Sequence, residues 1–234
     1  MRLFAAIVPP PEVLDEIDAV VRAVGPVERR GRSWRTPAER PPSPAGQHAG
    51  RRRGLLRRMG GQSDSPAREP EPPETEQLTR LPVVRMHIPI TTFGHLTRVD
   101  SELLADALRT AVATWERPTL HFTGGTALEF PGDQAVWARL GGDLDRLQVI
   151  GQGVPKVVQR LGIFVDRRQF RPWLSLGTIT EETTAAYLEE LVAALDRFAG
   201  TTWTHEHVSL MSGQPGGGPR EPYEELERMP LAAP

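Results

Sequence analysis

The sequence predicts a mixed α and β fold whose basic layout occurs twice, on three observations. A period-two strand leads into an amphipathic helix in each half of the chain, first at residues 84–90 and again at 172–179. The composition, 38% hydrophobic and 25% charged, is that of a globular protein. No Cys is present, and no apolar run approaches the roughly 18 residues that span a bilayer. Together these exclude a disulfide-stapled secreted module and a thiolate metal site, and predict a cytoplasmic soluble protein.

Each element follows from local signals. Residues 2–8 read as a strand, and Pro9, Pro10 and Pro11 open a helix with Leu14, Ile17, Val21 and Val24 on one face, stopped by Gly25. Residues 41–80 hold seven Pro, five Gly and no aromatic residue, with an arginine cluster (Arg51, Arg52, Arg53, Arg57, Arg58) followed by Asp64, Glu69, Glu71, Glu74 and Glu76. That stretch reads as a disordered insertion in a domain formed by residues 1–40 and 81–234. Next, Val84, Met86, Ile88 and Ile90 alternate with Arg85, His87, Pro89 and Thr91, which puts His87, Pro89 and Thr91 on one strand face. Asp100 caps a helix with Leu104, Leu108, Ala111 and Trp115 as its stripe, and strands fit residues 119–123, 127–130 and 134–140. A helix over 143–161 is expected to kink or end early at Gly151, Gly153 and Pro155. The strand at 172–179 alternates Leu174 and Leu176 with Trp173, Ser175 and Gly177, and a helix over 181–198 follows. A strand over 202–211, a Gly-Pro loop at 213–219 and a short last strand before Leu231 complete the chain.

Charge is nearly balanced, with 28 basic and 30 acidic residues and a net charge of −2. That argues against bulk binding of duplex nucleic acid.

The motifs resemble those of the 2H phosphoesterase superfamily, in particular the bacterial RNA 2′,3′-cyclic phosphodiesterases labelled 2′-5′ RNA ligases. The resemblance rests on Met1-Arg2-Leu3-Phe4-Ala5-Ala6, on Trp34-Arg35-Thr36-Pro37, on His87-Ile88-Pro89-Ile90-Thr91-Thr92-Phe93-Gly94 against His-Leu-Thr-Leu-x-Phe-Leu-Gly, and on Phe170-Arg171-Pro172-Trp173-Leu174-Ser175-Leu176 against Phe-x-Pro-His-Leu-Thr-Leu. It implies an α+β fold of two pseudo-symmetric lobes, each an antiparallel sheet backed by helices, around a central cleft. It also implies hydrolysis of 2′,3′-cyclic phosphate ends to 2′-phosphates by two His-x-Thr/Ser motifs, without a metal or another cofactor. One histidine serves as general base and the other as general acid, while the hydroxyls hold phosphoryl oxygens. The expected ligand is RNA with a 2′,3′-cyclic or 2′-phosphate end, or a small cyclic nucleotide, and the expected state is a monomer.

This chain departs from the pattern twice. The first hydroxyl position is Pro89, for which Thr91 is the replacement candidate, and the second histidine position is Trp173, while Ser175 keeps the second hydroxyl. An indole exchanges no proton near neutral pH, so His87 is the surviving catalytic candidate and activity is expected to be weak. Trp173 is a candidate stacking surface for a base, and Arg171, two residues earlier, a candidate phosphate contact. The competing reading is a non-catalytic module that binds an RNA end or a nucleotide on the same fold. A third is a decayed cleft with the arginine-rich insertion as the contact surface. His95 and His121 are weaker candidates for the missing acid, and His205 with His207 reads as a solvated strand face.

Overall fold

A computed structural model describes residues 2–25, 77–128, 134–165, 169–213 and 223–233. The order is β1 (Arg2–Ile7), α1 (Pro11–Ala23), β2 (Leu78–Arg80), a 3₁₀ turn (Val83–Arg85), β3 (Ile88–His95), α2 (Arg98–Val112), β4 (Thr119–Ala127), β5 (Ala135–Gly142), α3 (Leu144–Arg160), β6 (Trp173–Ile179), α4 (Ala185–Arg197), β7 (Trp203–Thr204), β8 (His207–Gly213) and β9 (Glu224–Pro230). The strands form two sheets, β3-β1-β8-β9 and β2-β6-β5-β4-β7, with every named pair antiparallel. This is an α+β fold of two sheets with four helices, as the motifs imply. The apolar alternation of β1 (Leu3, Ala5, Ile7), β5 (Val136, Ala138, Leu140) and β6 (Leu174, Leu176) turns one face of each sheet into a shared core with the stripes of the helices. Among the described residues, no helix is long and apolar enough to cross a membrane.

Several boundaries differ from the sequence reading for identifiable reasons. Residues 78–80, assigned to the insertion, form β2 against β6, with Leu78 buried in the core. One inward Leu and a free sheet edge suffice for three residues that composition alone places in a Pro-rich stretch. The remainder of that stretch, through residue 76, and the segment Trp34-Arg35-Thr36-Pro37 lie outside the described residues. The alternation at 84–90 is a strand only from Ile88 onward, because Pro82 leads into the 3₁₀ turn and leaves Val84 exposed. Thr97, not Asp100, caps α2: its hydroxyl accepts the Asp100 N–H at 3.2 Å and donates to the Asp100 carboxylate at 2.7 Å. Strand β4 continues past the expected end at residue 123 to Ala127, since Gly124 takes φ 69° in a bulge that bends the strand without ending it, and residues 129 and 130 of the strand expected at 127–130 lie outside the described residues.

Helix α3 runs unbroken through Gly151, Gly153 and Pro155. The two glycines allow close approach rather than breaking the helix. A Cβ at Gly151 would collide with the Phe170 ring, and one at Gly153 with the Trp115 ring. Phe170 is thereby seated against α3, and it anchors the segment that leads into β6.

Candidate functional site

The first sheet has one core face and one face away from the core, and the register tells them apart. Phe4, Ala6 and Met211 form a small cluster of their own, with Val8 and Tyr223 packed against it. His87 belongs to this second face: its ring centroid lies 5.1 Å from that of Phe4 and 5.0 Å from that of Tyr223. His87 Nδ1 is 2.8 Å from the Arg85 carbonyl oxygen, so Nδ1 carries the proton and donates it there, leaving Nε2 as the basic nitrogen. Burial pushes the His87 pKa below the ordinary histidine value; the bond to the Arg85 carbonyl opposes this and the Arg85 charge adds to it. The ring is therefore neutral at pH 7. Arg85 also stacks 4.7 Å from the Tyr223 ring centroid and donates to its hydroxyl at 2.8 Å, which fixes Tyr223 over His87.

Pro89 does not break β3, because β3 is an edge strand with bulges. Ala6 pairs with Pro89 and Ala5 with Thr91, so Ile90 is the extra residue; a second shift leaves out Phe93. The first bulge reverses the sequence reading of the hydroxyls. Thr91 stands opposite Ala5 on the core side and is 6% exposed, whereas Thr92 stands opposite Phe4, on the His87 side. A one-residue bulge flips the side chains up to the next bulge, so it is Thr92 rather than Thr91 that shares the strand face of His87, while both threonines line the cavity described below.

On the second sheet, Trp173 and Ser175 face away from Leu174 and Leu176, as the alternation predicts. Trp137 of β5 pairs with Ser175, and Arg139 with Trp173, so the two indoles are neighbours with centroids 6.4 Å apart and planes at 52°. The Arg171 guanidinium lies 5.5 Å from the Trp173 ring centroid. A cavity of about 440 Å³ separates the two sheets here, lined by Pro89, Ile90, Thr91 and Thr92 on one side and Trp137, Gln169, Phe170, Arg171 and Trp173 on the other. The structure thus gathers Thr91, Arg171 and Trp173 around one space. His87, two residues before Pro89, stands beside it rather than in its lining, as does Ser175.

Sequence reasoning missed Trp137, Gln169, Thr92 and Tyr223. Trp137 was legible as an outward residue of a period-two strand, but only pairing brings it beside Trp173. It also misjudged the late histidines. His205 is 2% exposed and its pKa falls to about 3, chiefly through burial and then through the charge of His207 5.3 Å away, centroid to centroid. His207 is part of a polar group on the His87 side of the first sheet, where Glu225 accepts from Ser209 at 2.6 Å and from Arg228 at 2.8 Å and lies 3.8 Å from His207 Nε2. His95 and His121 do not line the cavity. Among the described residues, no three His, Asp or Glu side chains converge as metal ligands.

Two antiparallel sheets with four helices in this arrangement make up the LigT-like 2H phosphoesterase fold, and this chain has that fold. The solved structures it is similar to include the LigT protein of E. coli in complex with 3′-AMP, at TM-score 0.60 and 15% identity over 98% of this chain and 97% of that one. They also include TT0787 of Thermus thermophilus, at TM-score 0.58 and 17% identity over 100% and 99% of the two chains. E. coli LigT in complex with NADP+ follows at TM-score 0.57 and 16% identity, over 99% and 97%. No protein-family model matches the sequence, and no curated protein does.

Proposed function

We propose that the cleft binds the 2′,3′-cyclic or 2′-phosphate end of RNA, or a small cyclic nucleotide, and hydrolyses the cyclic phosphodiester slowly to a 2′-phosphate. The observation that supports this reading is the cavity between the two motif strands, with an indole pair and Arg171 on one wall and a hydroxyl-bearing strand led by His87 on the other. The solved LigT complexes with 3′-AMP, NADP+, ATP and phosphate agree with a nucleotide as ligand.

In this reading His87 Nε2 takes a proton from the attacking water as its oxygen bonds to phosphorus. The bond from phosphorus to O3′ breaks, and O3′ takes its proton from solvent because Trp173 has none to give. Loss of a positioned acid costs about 10² to 10⁴ in rate, or ~3 to 5 kcal/mol of barrier. Thr92 and Ser175 supply hydroxyl donors to the phosphoryl oxygens. No cofactor or metal enters this scheme, and the protein acts as a cytoplasmic monomer.

The test is incubation with an oligoribonucleotide ending in a 2′,3′-cyclic phosphate, with 2′- and 3′-phosphate products resolved, beside a His87→Ala control. A 2′-phosphate product that vanishes in the control is expected. A rate unchanged in folded His87→Ala protein refutes the catalytic role. One observation favours a second reading, a binding module without turnover: the His87 ring is closed in between Phe4 and Tyr223. That module shows affinity with no product at any protein concentration.

A further inference from the structure

The two indoles carry information about the length of ligand the cleft accepts. A base sandwiched between two aromatic rings needs them nearly parallel and about 7 Å apart, twice the ~3.4 Å stacking distance. Trp137 and Trp173 have centroids 6.4 Å apart but planes inclined at 52°, so they converge and leave no slot for a shared base. Both are half-buried and both line the cavity. Their positions on adjacent strands, Trp137 opposite Ser175 and Trp173 opposite Arg139, set them side by side along the wall.

We propose, building on the nucleotide reading above, that the cavity reads two consecutive, unstacked bases of a single-stranded RNA end, Trp173 taking one base and Trp137 the next. Splayed bases stacked singly on aromatic rings are the usual way in which proteins hold single-stranded RNA. The centroid separation is of the order of one nucleotide step, ~3.4 Å in a stacked helix and longer once bases are splayed. Arg171, whose guanidinium lies over the Trp173 ring 5.5 Å from its centroid, offers a cation to a phosphate of the bound end, and Gln169 offers a donor and an acceptor to a base edge. Trp137 is then a specificity residue for chain length, and Trp173 has changed from the family's proton-transfer position to a base platform.

The experiment compares binding of adenosine 2′,3′-cyclic phosphate with that of the dinucleotide ApA carrying a terminal 2′,3′-cyclic phosphate, read by quenching of the protein's tryptophan fluorescence and by calorimetry. The dinucleotide is expected to bind about 5- to 150-fold tighter, the range for one added stacked base. Trp137→Ala is expected to bring the ratio of dinucleotide to mononucleotide affinity down to about one, while Trp137→Phe keeps most of the difference. Trp173→Ala is expected to weaken both ligands. Equal affinity of the two ligands for the unmodified protein overturns the inference and leaves the nucleotide reading standing, as does an unchanged ratio in Trp137→Ala. Failure of both ligands to bind overturns the nucleotide reading and this inference with it.

Discussion

On the proposed reaction, Trp173→His supplies the acid that the resemblance implies for this position, and its consequences can be worked out term by term. The indole contacts Trp137 and lies under the Arg171 guanidinium. An aromatic pair contributes about 0.5 to 1.5 kcal/mol and a half-exposed cation–π contact about 0.5 to 1 kcal/mol, so the fold loses ~1 to 2.5 kcal/mol. That is less than the ~5 to 15 kcal/mol that holds a typical domain together. The imidazole adds a proton donor across the cavity from Pro89 and Thr92, worth ~10² to 10⁴ in kcat. Loss of the stacking surface weakens substrate binding by about 1 to 3 kcal/mol, which raises KM by up to two orders of magnitude. The expected result is a kcat gain larger than the KM increase, measured by steady-state conversion of a cyclic-phosphate oligonucleotide to the one ending in a 2′-phosphate and abolished by His87→Ala in the same protein. A folded Trp173→His protein that binds substrate without any gain in kcat would refute the argument that a missing acid limits the reaction.

Three further outcomes test other parts of the structure. His205, held at about 3 against ~6.5 when unfolded, binds its proton more readily in the unfolded chain, so its contribution is complete above pH 6.5 and lost as pH falls toward 3. Urea unfolding at pH 7.5 and 5.0 should therefore differ by ~2 kcal/mol from this residue, and a His205→Gln chain that shows the same pH slope speaks against it. Tyr223→Ala uncovers His87, and because burial is the main cause of its lowered pKa, the His87 pKa should rise toward the ordinary value; NMR titration with an unmoved His87 signal contradicts the packing described. Gly151→Ala drives a methyl group into the Phe170 ring and should cost about 1 to 3 kcal/mol, with weaker nucleotide binding because Phe170 anchors Arg171 and Trp173. An unchanged thermal midpoint with unchanged binding would remove that anchor from the account.

Much of the fold was legible because apolar alternation is a local code. Leu174 and Leu176 against Trp173 and Ser175 needed only period two to be assigned to faces, and Leu14, Ile17 and Val21 needed only period 3.6. The same code failed wherever one residue was inserted into a ladder. Nothing in Ile90-Thr91-Thr92 marks the bulge that turns Thr92 toward His87, since the bulge exists only in the pairing with Ala5 and Ala6. Gly151 and Gly153 read as helix breakers because their role, making room for Phe170 and Trp115, depends on residues far along the chain.

By itself, then, the sequence determined the strand and helix types, the face on which Trp173 lies and the resemblance that carries the α+β fold, since all of these depend on residues within a few positions of one another. Only the tertiary structure decided that Trp137 stands beside Trp173, that Tyr223 closes over His87, that Thr92 pairs with Phe4 and Thr91 with Ala5, and that His205 is buried. Each of these is a relation between residues on different strands. Strand register, bulges and the burial of a titratable ring are set by the packing of the whole chain, and no short-range pattern encodes them.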